Sequence, residues 1–195
     1  MFLYDHRRIM LKDLVLFGSP GSGKWTQAKM MIDFRPNAYA HFSTWDTFRA
    51  LTSSNNAVGN YMKDKIDHGR MIHDDIVISM FHTYMLTILD GDYAMLLDGY
   101  PRSQAQVKDL FQVAIKHDRE LLGVYFELSP EKAKERIMSR GRKDDKEEVI
   151  DYRIQHFHQE VVPVIDYFAD KGTVVRINAD QDVKKVFSDF VQVVG

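Results

Sequence analysis

The chain has 195 residues, 45% of them apolar and 12% aromatic, enough for one domain with a single buried core. Twenty-six Lys and Arg against 28 Asp and Glu give a formal charge of -2, so no overall basic balance draws it to nucleic acid or anionic lipid, and any cationic function must be local. The absence of cysteine excludes disulfides, thiolate zinc sites and a cysteine nucleophile.

At the N-terminus Met1 to Tyr4 are apolar, but Asp5, His6, Arg7 and Arg8 follow at once, which is too short and too charged for a signal-peptide core. No apolar run reaches the ~18 residues that a membrane helix needs, so a soluble, cytoplasmic protein without a membrane partner is expected. Residues 13–17 read as a continuous apolar strand, and a helix is expected over 24–34. Residues 39–42 form a weaker strand candidate. From 43 to 72 the chain is polar and helix-compatible, with Gly59, Gly69 and a bend at Asn55 and Asn56, longer than one crossover requires.

Strands are expected again over 93–98, 121–128 and 173–178. Ser129 followed by Pro130 is a cap with proline at the first helical position, opening a helix to about Arg140. A short charged loop follows over 141–145. Pro163 should interrupt or restart the helical region from Glu147 to about Ala169. At the C-terminus Val183, Val186, Phe187 and Phe190 share one helix face behind Asp180, the expected N-cap. Continuous apolar strands alternating with helices predict an α/β fold on a parallel sheet covered on both faces.

Chemistry concentrates in Gly18-Ser19-Pro20-Gly21-Ser22-Gly23-Lys24, a G-x-x-x-x-G-K phosphate loop between a predicted strand and a predicted helix. Glycines let backbone N–H groups turn onto an anion, the helix N-terminus adds partial positive charge, and Lys24 adds a full one. The usual Ser or Thr after the lysine is absent: Trp25 stands there, and Thr26 comes one later. The eight histidines show no H-E-x-x-H spacing, and the ten methionines are most simply core filler.

Lys24-Trp25-Thr26-Gln27, Ser43-Thr44-Trp45-Asp46-Thr47-Phe48-Arg49, Asp98-Gly99-Tyr100-Pro101-Arg102 and the downstream Arg136, Arg140, Arg142, Asp144, Asp145 and Arg153 make the chain resemble the adenylate kinases. The resemblance runs from about Leu14 to about Phe190. It implies a P-loop NTPase fold with a central five-stranded parallel sheet, a core over 11–42, 73–139 and 146–195, a small helical AMP-binding insert over 43–72, and a short lid over 140–145. It also implies reversible Mg²⁺-dependent transfer of a phosphoryl group from ATP to AMP, giving two ADP, by a monomer.

Position by position, the resemblance gives the ATP phosphates to Gly18, Pro20, Gly21, Ser22, Gly23, Lys24, Trp25 and Thr26, and places Arg136 against the ATP adenine. Asp98 would hold water-coordinated Mg²⁺. Thr44, Trp45, Arg49, Gly99, Arg102, Gln106, Arg142 and Arg153 would surround AMP, with Gln106 reading the adenine edge through its amide. Lys24, Arg102, Arg140, Arg142 and Arg153 would act on the transferring phosphoryl group, with Asp144 and Asp145 orienting the arginines. Gln106 stands where pyrimidine nucleotide kinases tend to carry Asn, which favours AMP over UMP or CMP.

The chain's two tryptophans, Trp25 and Trp45, replace family glycines at nucleotide contacts, which predicts a folded protein with impaired turnover. A weakly active nucleotide-binding homologue, deliberate fluorescent probes, or a source organism that reads UGA as glycine would each account for both positions.

Overall fold

The computed structural model describes residues 11–68, 70–88, 93–141 and 147–195. Five strands, β1 (Asp13–Phe17), β2 (Tyr39–Ser43), β3 (Ala94–Asp98), β4 (Leu121–Glu127) and β5 (Val174–Asn178), form one sheet in the order β2-β3-β1-β4-β5. Every pairing is parallel; in β1, Leu16 lies opposite both Asp98 of β3 and Val124 of β4. β1 and β3 are buried from end to end, as two-sided coverage requires, and this is why their sequences are continuous rather than alternating.

The period-two geometry of β1 sends its side chains to two different cores. Leu14 and Leu16 pack with Ala28 and Met31 of α1 (Lys24–Phe34) and with Val186 and Phe190 of the C-terminal helix. Val15 and Phe17 point to the other face, covered by α4 (Asp74–Ile88) through Phe81, by α5 (Gln104–Lys116) through Val107 and Leu110, and by Phe168. Between β2 and α4 the chain forms α2 (Thr44–Thr52) and α3 (Ala57–Asp67), each capped by a side chain: Ser43 Oγ accepts from Asp46 N, and Asn56 Oδ1 from Gly59 N. A third, smaller core joins α6 (Pro130–Arg140) to α7 (Glu147–His156) through Ala133, Ile137, Ile150 and Ile154.

Pro163 produces a widened turn rather than a break. α7 runs directly into a π-helical segment, Phe157–Val161, and then into α8 (Val162–Asp170), with Pro163 in its first turn. Proline has no N–H for an i-4 carbonyl and crowds it, and the wider turn relieves that. The expected cap of the last helix is corrected: α9 is Val183–Val194, and its cap is Asp182, whose Oδ1 accepts from Lys184 N at 2.9 Å. A cap must immediately precede the first helical residue, here Val183, and Asp180 lies two positions too early. Among the described residues no helix is long and apolar enough to cross a membrane.

Candidate active site

All five strands point their C-terminal ends the same way, and a cleft of about 460 Å³ opens beyond the ends of β1, β2 and β3. This is where an open parallel sheet presents loops and helix N-termini to a ligand. On one side lies the loop from Gly18 to Gly23, closed by a hydrogen bond from Ser22 N to Ser19 O at 3.1 Å. Gly23 is the N-cap of α1 with φ +84° and offers no capping side chain, so the first-turn N–H groups of α1 keep their capacity for an anion. The buried Oγ atoms of Ser19 and Ser22 have no hydrogen-bond partner.

Gly21 also has φ +84°, and a Cβ there would lie 2.8 Å from the Ala133 carbonyl, so only glycine lets the loop sit this close to α6. Gly18, Pro20, Gly23, Lys24, Trp25 and Thr26 line the cleft beside Gly21; Ser22 is buried behind it.

On the other side the start of α2 is tied to the end of β3, because Thr44 Oγ1 donates to Gly99 O at 3.2 Å. Asp98, at the last position of β3, is 6% exposed and lines the cleft. Arg102 is partly buried on the cleft wall: desolvation pushes its guanidinium below the usual arginine range, the nearby Asp98 pulls upward, and Arg153 adds to the depression. A guanidinium keeps its proton regardless, so holding two partly buried ones near one another leaves a hollow that favours anions.

Gln106 reaches the cleft, but both ends of its amide serve the protein: Oε1 accepts from Arg102 N at 2.7 Å, and Nε2 donates to Asp74 Oδ1 at 2.6 Å. One amide hydrogen and one oxygen lone pair are left for a ligand. Arg136 lines the cleft and pairs with Asp180 at 3.4 Å, which gives that aspartate a role other than capping.

Both tryptophans lie on the cleft wall. Trp25 is 39% exposed, donates from Nε1 to Asp46 Oδ2 at 3.3 Å, and carries the Lys29 ammonium 4.7 Å from its ring centre. Trp45 has the guanidinium carbons of Arg49 and Arg153 at 5.8 and 5.9 Å from its ring centre, and Arg49 is hydrogen-bonded to Asp46. Burial raises the Asp46 pKa, but hydrogen bonds from Arg49, Trp25 and Ser43 outweigh it and leave the carboxyl below its ordinary value.

The structure thus gathers Gly18, Gly21, Lys24, Thr26, Thr44, Arg49, Asp98, Gly99, Arg102, Gln106, Arg136 and Arg153 around one cleft. The Arg140 side chain, Arg142, Asp144, Asp145 and most of the expected lid lie outside what the structure describes. Arg70, Tyr152 and His156 also line the cleft and were not singled out from the sequence. On α7 His156 lies three residues after Arg153 and four after Tyr152, so helical spacing from Arg153 could have drawn attention to His156, whereas adjacent Tyr152 carries no such signal. Burial pushes His156 below the usual histidine pKa, opposed by Glu160 and reinforced by Arg102.

Comparison with known proteins agrees with this geometry. The model of the adenylate kinase family matches residues 16–173. An adenylate kinase of Prochlorococcus marinus (strain MIT 9301) is 33% identical over 184 residues, covering 94% of this chain and 98% of the relative. Adenylate kinase isoenzyme 1 of Oryctolagus cuniculus is 34% identical over 181 residues, covering 91% of each chain. The chain belongs to the adenylate kinase family. It is by that membership a nucleoside monophosphate kinase, and its Gly-rich loop and Arg49, Arg102 and Arg153 line one cleft.

Proposed function

We propose that the protein catalyses Mg²⁺-dependent phosphoryl transfer between ATP and AMP, giving two ADP. The observation that carries this is the uncapped N-terminus of α1 and the Gly18 to Lys24 loop facing Arg49, Arg102 and Arg153 across one cleft. The loop amides and Lys24 would take the donor phosphates, and the arginines the acceptor phosphate. The second ionisation of an acceptor monophosphate lies near pH ~6, so at neutral pH it is already a nucleophile and needs no general base. What the protein then supplies is alignment and charge neutralisation in a site from which water is excluded.

The residues present fit a magnesium ion brought in with its substrate. Asp98 offers one carboxylate at the cleft wall, and Mg²⁺ characteristically keeps several waters and completes its shell with phosphate oxygens. Among the described residues there is no cluster of three or more His, Asp or Glu that would make a protein-only cage. Asp98 would hold the ion through water, and the ion would neutralise negative charge on the substrate phosphates.

Coupled measurement of ADP formation with AMP, UMP and CMP as acceptors tests this reading, alongside calorimetric titration with diadenosine pentaphosphate, which spans both subsites. Turnover with AMP in excess of UMP and CMP is expected. Turnover mainly with UMP or CMP would move the protein to the pyrimidine nucleotide kinases. Tight binding of the bisubstrate analogue without turnover would favour a weakly active nucleotide-binding protein, a second reading that the positions of Trp25 and Trp45 on the cleft wall support.

A further inference from the structure

We propose that Trp45 is an internal occupant of the hollow for the acceptor's 5′-phosphate, so that a nucleoside monophosphate binds only by displacing the indole from Arg49 and Arg153. The inference rests on the adenylate kinase reading of the cleft, and it separates the two substrates: the occupant lowers acceptor affinity and leaves the donor side untouched.

The guanidiniums beside the Trp45 ring are two of those that would grip the acceptor phosphate. The indole does not merely narrow the cleft; it engages the groups the ligand needs. Thr44 is fixed to Gly99 by its hydroxyl, so the backbone that carries the ring cannot easily withdraw, and a change of side-chain rotamer is the cheapest way to clear the hollow. The loop from Gly18 to Gly23 is not among the groups that Trp45 holds.

Arg49 has a second internal partner. The Asp46 carboxylate takes a hydrogen bond from Arg49 through Oδ1, while its Oδ2 is held by Trp25 Nε1. A guanidinium offers an in-plane edge of N–H donors and a face that meets aromatic rings; phosphate recognition uses the edge, in paired hydrogen bonds. Asp46 occupies one edge donor of Arg49, Nη2, and Trp45 lies against the same group, so the substrate-free site carries both an anion and an aromatic ring on a guanidinium that a ligand phosphate would use. Trp25 acts here as a positioning residue through Asp46.

The test compares Trp45→Gly and Trp45→Leu with the unsubstituted chain. Leucine keeps apolar bulk without a π-face, and circular dichroism verifies folding of both. Calorimetry with AMP alone and with ATP alone should show AMP bound about tenfold more tightly by both variants, the sum expected of two exposed cation–π contacts, and ATP changed by less than about twofold. In a Trp25→Phe chain Trp45 is the sole tryptophan, and added AMP should change its fluorescence as the ring leaves the guanidiniums. Unchanged AMP affinity in both variants, equal shifts for AMP and ATP, or fluorescence indifferent to AMP would overturn the proposal. Weaker AMP binding in both would also overturn it, showing instead that the indole is a platform on which the nucleotide stacks. ADP formation on the same samples keeps the two readings apart: no turnover by any variant with AMP, UMP or CMP sinks the kinase reading, while the AMP titrations still decide the fate of Trp45.

Discussion

Asp13, the first residue of β1, and Arg119, 106 positions later, form a two-point pair, with Arg119 Nε on Oδ2 at 2.6 Å and Nη2 on Oδ1 at 2.7 Å. The same Oδ1 accepts from Met95 N at 2.6 Å, and Arg119 Nη2 also donates to Tyr93 O, so one carboxylate ties together the starts of β1 and β3 and the turn before β4. The Asp13 side chain is only 2% exposed. Arg119→Met should therefore lower the free energy of unfolding by about 3–5 kcal/mol, because it leaves a buried carboxylate without its cation. Urea unfolding checks this, and adding Asp13→Asn should recover part of the loss, since the double variant strands no charge.

Gly99 should control the acceptor half of the cleft. It has φ +86°, and a Cβ there would meet Thr44 Oγ1 at 2.3 Å and Arg102 Nη2 at 2.9 Å, so Gly99→Ala must displace a guanidinium and the hydroxyl that anchors α2. Displacements of about 1 Å in such a site cost ~10²-fold in rate, and a loss of that size is expected in kcat/KM for AMP. The KM for ATP should stay nearly constant, which steady-state kinetics with each substrate varied in turn will show.

Histidine 41 makes stability depend on pH near neutrality. It lies on β2 with its Nε2 buried and unpartnered; burial pushes its pKa below the usual 6.5, and the charge of Lys29 adds to this while Asp98 and Asp46 oppose it. The unfolded chain then binds a proton that the folded chain refuses, so the unfolded state holds more protons and stability falls as pH drops. The contribution is fully present above the unfolded pKa and is lost as pH falls through that value towards the lower, folded one. Thermal midpoints measured from about pH 7.5 to about pH 5.5, above most carboxylate titrations, should decline, and His41→Gln should flatten the slope.

What could be read beforehand divides by the range of the interactions involved. Strand β1 was legible to its last residue because two-sided burial leaves an unbroken apolar run, and α6 because Ser129 and Pro130 fix its start locally. The cap of α9 was misplaced because two aspartates stand two residues apart, and only Asp182 is adjacent to the first helical residue. Pro163 marked where the helix changes, but whether the chain breaks or widens depends on the packing of Phe157 and Val161 into the core. The loop and its lysine were visible as a motif, since the chemistry lies in seven consecutive residues. That Trp45 meets Arg153, or that the Gln106 amide is already engaged by Asp74 and Arg102, depends on elements far apart in sequence, and neither periodicity nor composition records it.

Trp25 should separate activity from stability. Its indole donates to Asp46, lies under the Lys29 ammonium and projects from the first turn of α1 into the cleft, at a position where the resemblance to the adenylate kinases implies glycine. Trp25→Gly removes those contacts and adds a flexible residue to a helix start, so the folded state should weaken by about 1–2 kcal/mol. ADP formation should nonetheless rise, by up to ~10²-fold if the ring holds the phosphates about 1 Å from alignment, and further in the Trp25→Gly, Trp45→Gly chain. Trp25→Ala isolates the ring from the backbone: it should recover most of the rate with less loss of stability, because alanine clears the same space without the entropy of glycine. Rates equal across all four chains would show both indoles to be harmless, and the wall they form to be compatible with transfer. The coding DNA bears on the same point, since UGA at codons 25 and 45 would support a source organism that reads UGA as glycine, whereas UGG at either position removes that explanation.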